Sequence, residues 1–102
     1  MAEFLTDFFG LRGNVAVLTG AGGYLVSEMS RGLAAAGIKL ALIDNDIDAA
    51  KKIAREISEK GGEAIAIGAD VTKKLELQKA LETVVKKYDR MDYAVFGANL
   101  NA

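Results

Sequence analysis

Glycines at positions 20, 22 and 23, in the run Thr19-Gly20-Ala21-Gly22-Gly23-Tyr24-Leu25-Val26, together with Asp44, are the residues whose types and spacing suit a definite chemistry. A glycine-rich turn between a strand and a helix lets backbone N–H groups approach a phosphate closely. The helix N-terminus adds a favourable partial positive charge. Asp44 closes the next apolar run. A carboxylate there can accept hydrogen bonds from a ribose 2′-OH and would repel a 2′-phosphate, favouring NAD over NADP. Either feature alone is weak; in one strand–turn–helix–strand frame they point to a dinucleotide site. The blander reading is that the glycines only make the turn.

Other chemistry is sparse. The 102 residues include no His and no Cys, which removes the commonest neutral-pH base, the commonest metal ligand, thiolate nucleophiles and disulfides together. Ser27, Ser30 and Ser58 fall on helical stretches with no imidazole to activate them. Asp44, Asn45, Asp46 and Asp48 form the tightest acidic cluster, but it lacks the twelve-residue calcium-loop pattern. Helix capping explains it better, and no metal is expected. Thirteen basic against fourteen acidic residues leave a net charge of −1. No basic field is present to attract nucleic acid. The N-terminus carries acids and no long apolar run, so neither export nor a membrane anchor is expected, and a cytoplasmic setting is. Phe4, Leu5, Phe8 and Phe9 are expected to cover an edge of the core.

The elements that must position the loop are legible as alternation. Val15–Leu18, Leu40–Ile43, Ala64–Ile67 and Tyr93–Phe96 are short continuous apolar runs, as expected of strands buried on both faces. Between them, Ile47, Ala50, Ile53, Ala54 and Ile57 form one helical stripe, and Leu77, Ala80, Leu81, Val84, Val85 and Tyr88 another. Gly37 and Gly61-Gly62 end two helices, Asn45 or Asp46 can cap the second, and Thr72 the third. The pattern predicts an α/β fold over residues 1–102 as one domain: a parallel sheet with right-handed crossovers and helices on both faces, a three-layer half-Rossmann βαβαβαβ unit.

The stretches Thr19-Gly20-Ala21-Gly22-Gly23, Asp44, Ala69-Asp70-Val71-Thr72 and Asp92 through Ala98 resemble the short-chain dehydrogenase/reductase family, from about Leu11 to Ala98. Phe96-Gly97-Ala98-Asn99 is similar to an altered form of that family's Asn-Asn-Ala-Gly segment. The resemblance implies strand order 3-2-1-4. It implies a cofactor set of Gly20, Gly22, Gly23, Asp44, Asp70, Val71 and Ala98, with Asp70 and Val71 beside the adenine. Departures accompany the matches. The family pattern Thr-Gly-x-x-x-Gly-x-Gly would put glycines where Tyr24 and Val26 stand, and Phe96 and Asn99 replace the family's Asn and Gly. These bulkier residues read as the filling of an abandoned pocket. The family's catalytic Tyr-x-x-x-Lys is absent: Glu28, Asp92 and Gly97 follow Tyr24, Tyr88 and Tyr93 at that spacing.

The expectation is therefore a structural half-domain, truncated or engineered from such an oxidoreductase, without catalysis and with no bound cofactor. The alternatives are a module with residual NAD or AMP affinity, or an N-terminal fragment that needs its C-terminal half. The fourth strand would be a sheet edge with exposed apolar side chains, so a homodimer through that edge and the adjacent helix is expected.

Overall fold

Parallel strands cannot be joined by a tight turn, so each of the first three strands is followed by a helix that carries the chain back to the same end of the sheet. A computed structural model describes residues 10–97, and the phenylalanines at positions 4, 8 and 9 lie outside them. The order is β1 (Val15–Thr19), α1 (Tyr24–Ala35), β2 (Lys39–Asp44), α2 (Ile47–Glu59), β3 (Ala64–Gly68), α3 (Lys74–Tyr88) and β4 (Tyr93–Phe96). The four strands form one parallel sheet in the order β3-β2-β1-β4, as the resemblance implies.

Strand side chains alternate between two cores. Ala16, Leu18, Leu40 and Leu42 point to one face and meet Val26 of α1 and Ile53, Ala54 and Ile57 of α2. Val15, Val17, Ala41 and Ile43 point to the other and meet Ala80, Val84 and Tyr88 of α3. Burying each large aliphatic contributes about 1.5–3 kcal/mol. The continuous apolar runs of β1 and β2 are thus explained by helices on both sides. β3 and β4 differ from expectation: β3 is at most half-buried, and in β4 Tyr93, Ala94 and Phe96 are exposed. Each has one strand neighbour instead of two, so burial from both faces fails at the edges. The α3 stripe is narrower than its spacing suggests, because Val85 turns outward and is exposed.

Helix ends follow local chemistry. Gly37 and Gly61 both sit at φ +87 and close α1 and α2, a backbone that glycine adopts without steric cost. Asp46 caps α2, accepting the Ala49 N–H. Thr72 does not cap α3; that place falls to Lys73, without a side-chain bond. The Thr72 hydroxyl donates instead to Asp70, and Glu76 reaches back to accept the Asp70 N–H. The aspartate wins the local competition because a carboxylate is the stronger acceptor.

One charged cluster anchors β4. The Asp92 carboxylate accepts the Val15 N–H at 2.8 Å and two Arg90 guanidinium hydrogen bonds at 2.7 and 2.8 Å. Its own N–H donates to the Val15 carbonyl. Arg90, and then the Val15 N–H, hold the Asp92 carboxyl below the usual aspartate range. The depressed value means that its stabilising contribution is fully present above the unfolded pKa of about 3.9 and is lost as pH falls through the folded value. We expect Asp92→Asn to lower Tm at neutral pH, with the gap to the unmodified chain closing on acidification. Thermal unfolding across that range checks it; a gap independent of pH would contradict the assignment.

Candidate functional site

All four strands run the same way, so the loops after them gather at one end of the sheet. There a crevice of about 450 Å³ opens, lined among others by Gly20, Gly23, Asp44, Asp70, Val71 and Gly97. Of the seven residues expected to form the site, Gly20, Gly23, Asp44, Asp70 and Val71 line this crevice together. Gly22 is not among the lining residues but donates its N–H to Asp44, and Ala98 lies outside the described residues.

Asp44 organises the loop. One carboxylate oxygen accepts the Gly22 N–H at 2.8 Å and the other the Asp46 N–H at 2.8 Å. The end of β2 is thereby tied to the loop after β1 and to the start of α2. The approach is close enough to exclude a side chain: a Cβ on Gly22 would lie 2.6 Å from the Ala49 Cβ and 3.0 Å from Asp44 Oδ2. Ala21 donates to the Ile43 carbonyl and Gly23 to the Gly20 carbonyl, so this turn consumes its own backbone donors. α1 starts immediately afterwards. Its N-cap, Gly23, offers no side-chain bond and its first turn holds no acid. The first helical N–H groups therefore lack an intrahelical acceptor and carry the positive end of the helix dipole.

On the far wall, Asp70 accepts the Thr72 hydroxyl at 2.6 Å and the Thr72 N–H at 3.0 Å. Those two bonds, the hydroxyl's first, hold its carboxyl below the usual range.

The bulky replacements do not occupy the crevice as expected. Tyr24 is 83% exposed and Phe96 62% exposed, and neither lines it. Tyr24 is the first residue of α1, where the helix projects it into solvent. Val26 does go inward, but into the core beside Leu18. Gly97 makes room for it, since a Cβ there would collide with the Val26 side chain. Asn99 lies outside the described residues. Ile43, Asn45, Ala69, Thr72 and Gly97 also line the crevice and were not among the expected site residues. For Gly97 a signal existed, its place at the end of β4, level with Gly20 after β1.

The remaining candidates for chemistry are structural. The Ser27 and Ser30 hydroxyls donate to the Tyr24 and Val26 carbonyls of their own helix. Burial, with Glu63 adding to it, pushes Tyr88 up to about 12, far from a useful proton carrier at neutral pH. Tyr93 accepts a hydrogen bond from Asn14. Asp44 and Asp46 serve the loop and the cap. Among the described residues no three potential metal ligands converge, and no helix is long and apolar enough to cross a membrane.

Comparison with known proteins adds a second line. The short chain dehydrogenase family model matches residues 14–102. The uncharacterized oxidoreductase UxuB of Bacillus subtilis is 35% identical over 91 residues, covering 89% of this chain and 33% of its own. A hydroxysteroid dehydrogenase structure from Escherichia coli superposes with a TM-score of 0.85 at 32% identity, covering 87% of this chain and 38% of that one. An NAD+-bound xylitol dehydrogenase superposes with a TM-score of 0.79 at 31% identity, over 82% of this chain and 32% of that one. The chain spans about a third of the length of the curated relatives it matches.

The Gly22 contact gives a direct test of the loop. We expect Gly22→Ala to cost about 1–3 kcal/mol, the usual range for forcing a methyl group into a packed site. Gly23, at φ −74 with its nearest non-neighbour at 3.3 Å, should tolerate alanine far better. Denaturant unfolding of both variants measures the difference, and equal costs would contradict the packing.

Proposed function

This chain belongs to the short-chain dehydrogenase family, and from that premise we propose that it is the cofactor-side part of such an oxidoreductase. In this reading it holds the adenosine portion of NAD and performs no hydride transfer on its own. The single observation that carries it is the open crevice with Asp44 at its rim. The sequence alone leans toward an empty site, on the bulk of Tyr24 and Val26; the placement of those side chains supports the other reading.

The residues present fit the group. A crevice of about 450 Å³ lies within the roughly 300–1,000 Å³ typical of small-molecule sites. Asp44 spends one lone-pair direction of each oxygen on the chain, and a carboxylate has further acceptor sites for ribose hydroxyls. The same charge opposes a 2′-phosphate, giving NAD the advantage over NADP. Val71, half-buried against the α3-side core, offers an apolar wall to a base, with Asp70 beside it. The uncapped start of α1 suits the pyrophosphate. When bound, the dinucleotide would supply the hydride carrier. This chain's residues bind and orient it, and the Tyr-x-x-x-Lys pair that would move the proton is absent from the 102 residues. The cytoplasm is the compartment this reading assigns.

A second reading, a purely structural half-domain, truncated or engineered, rests on the loop's hydrogen bonds. The Ala21, Gly22 and Gly23 N–H groups already have acceptors within the protein, which leaves fewer donors for a phosphate.

Ligand-induced stabilisation separates the two. A ligand at a hundred times its Kd stabilises the folded chain by about 2.7 kcal/mol. We expect millimolar NAD or AMP to raise Tm, NADP to raise it less, and Asp44→Ala to abolish the preference for NAD. Absence of any shift would leave the structural reading standing. NADH formation with polyols or hydroxy acids should be undetectable, and turnover scaling with purified protein would overturn the non-catalytic half of the proposal.

The partner proposal concerns a different surface. The edge of β4 that no other described strand pairs and the outer face of α3, where Leu77, Leu81 and Val85 border a shallow groove, suit a two-fold homodimer. We expect light scattering to show a concentration-dependent dimer that Val85→Lys disrupts in a still-folded chain. A monomer throughout the concentration series would sink the idea.

A further inference from the structure

The turn after β1 holds its shape with little help from side chains. Gly22 and Gly23 carry none, and glycine gives a backbone the widest choice of conformations, so hydrogen bonds must choose for it. Two of them tie this turn to the end of β2. The Ala21 N–H donates to the Ile43 carbonyl at 3.2 Å, and the Gly22 N–H to one Asp44 carboxylate oxygen at 2.8 Å. The second is the shorter, and its acceptor is charged, which strengthens it. Asp44 also closes a circuit. Its other oxygen accepts the Asp46 N–H, and the Asp46 side chain accepts the Ala49 N–H. The Ala49 methyl in turn stands where a Cβ on Gly22 would be 2.6 Å away. The starts of α1 and α2 are therefore set against each other through one carboxylate.

We propose, on the nucleotide reading of the crevice, that Asp44 has a second role: it is the positioning residue for the phosphate end of the site, acting through the Gly22 N–H and independently of any contact with a ribose. The Ala21, Gly22 and Gly23 N–H groups already have acceptors within the protein. A phosphate therefore depends on the first N–H groups of α1, whose direction follows from the turn that leads into them. Donors already aimed bind more tightly than donors that must first be ordered. The two roles of Asp44 oppose each other in one respect. Its negative charge repels a phosphate, while its hydrogen bond to Gly22 holds the donors that attract one. If Asp44 served the ribose alone, only the repulsion would act on a phosphate, and removing the side chain would help a phosphate bind. With the positioning role, loss of Asp44 weakens the binding of an anion that has no ribose at all. The sign of the effect distinguishes the two.

Inorganic pyrophosphate and adenosine, titrated separately, divide the site between its two ends, and amide NMR shifts report both affinities and the fold of each variant. We expect Asp44→Ala to weaken pyrophosphate binding about fivefold to tenfold, the loss of a charge-assisted hydrogen bond less the relieved repulsion. It should also speed hydrogen exchange at the Gly22 N–H and leave the amides of α3 unchanged. Asp44→Glu keeps the charge and moves the carboxylate outward by one methylene. It should weaken pyrophosphate as well, and it carries the test if Asp44→Ala does not fold. Pyrophosphate affinity unchanged or raised in Asp44→Ala, or unchanged in Asp44→Glu, would overturn the positioning role. With adenosine still bound by the unmodified chain, the nucleotide reading would then stand. Pyrophosphate shifts that leave the Leu25 and Val26 amides unmoved would overturn the positioning role too. Failure of the unmodified chain to bind either ligand would overturn it together with the nucleotide reading.

Discussion

Parallel pairing requires a long crossover between successive strands of the sheet, and most other features of this molecule descend from that requirement. The crossovers place helices on both faces and bury β1 and the centre of β2, Leu40 to Ile43, completely. They also send every strand in one direction, so the loops after β1, β2, β3 and β4 end at the same rim. Binding at the carboxyl ends of such strands, where the order reverses beside β1, is what this geometry favours. Here the reversal falls between β1 and its two neighbours, β2 and β4, and the crevice lies across their ends.

Within that frame, close approach is arranged by pairs of residues. Asp44 can hold the loop only because Gly22 has no side chain to keep α2 away. Val26 can enter the core only because Gly97 leaves it space. The second pair changes the meaning of a departure from the family pattern. A valine where the pattern has glycine reads as obstruction when considered alone, yet its volume is taken up below the loop. The crevice stays open above it.

The same topology explains the uncovered surfaces. Three helices shared between two faces of a four-stranded sheet cannot cover every strand, and β4 receives the least. Asp92 and Arg90 secure the entry to that strand through hydrogen bonds to β1 and to each other. They fix its register without hiding its side chains. An apolar concavity beside α1, lined in part by Tyr93 and Val95, is the result.

Continuous apolar runs, glycines at two helix ends and the glycine-loop-to-aspartate spacing determined the element order, the parallel sheet and the crevice residues Gly20, Gly23 and Asp44 from sequence alone, while Asp70 and Val71 came from family likeness. The former depend on local patterns that secondary structure must satisfy whatever surrounds it. The strand order came from family likeness rather than periodicity, since alternation does not say which strands are neighbours. Direction of side chains was decided only in three dimensions. Thr72 could cap a helix, but Asp70 claimed its hydroxyl. Val85 shares the spacing of a buried stripe, but Val84 and Tyr88 take the inward positions of α3 and Val85 is left exposed. Tyr24 carries enough bulk to fill a pocket, but the first turn of α1 aimed it at water. Each outcome rests on which partner stands within a few ångströms, and that is set by residues distant in the chain.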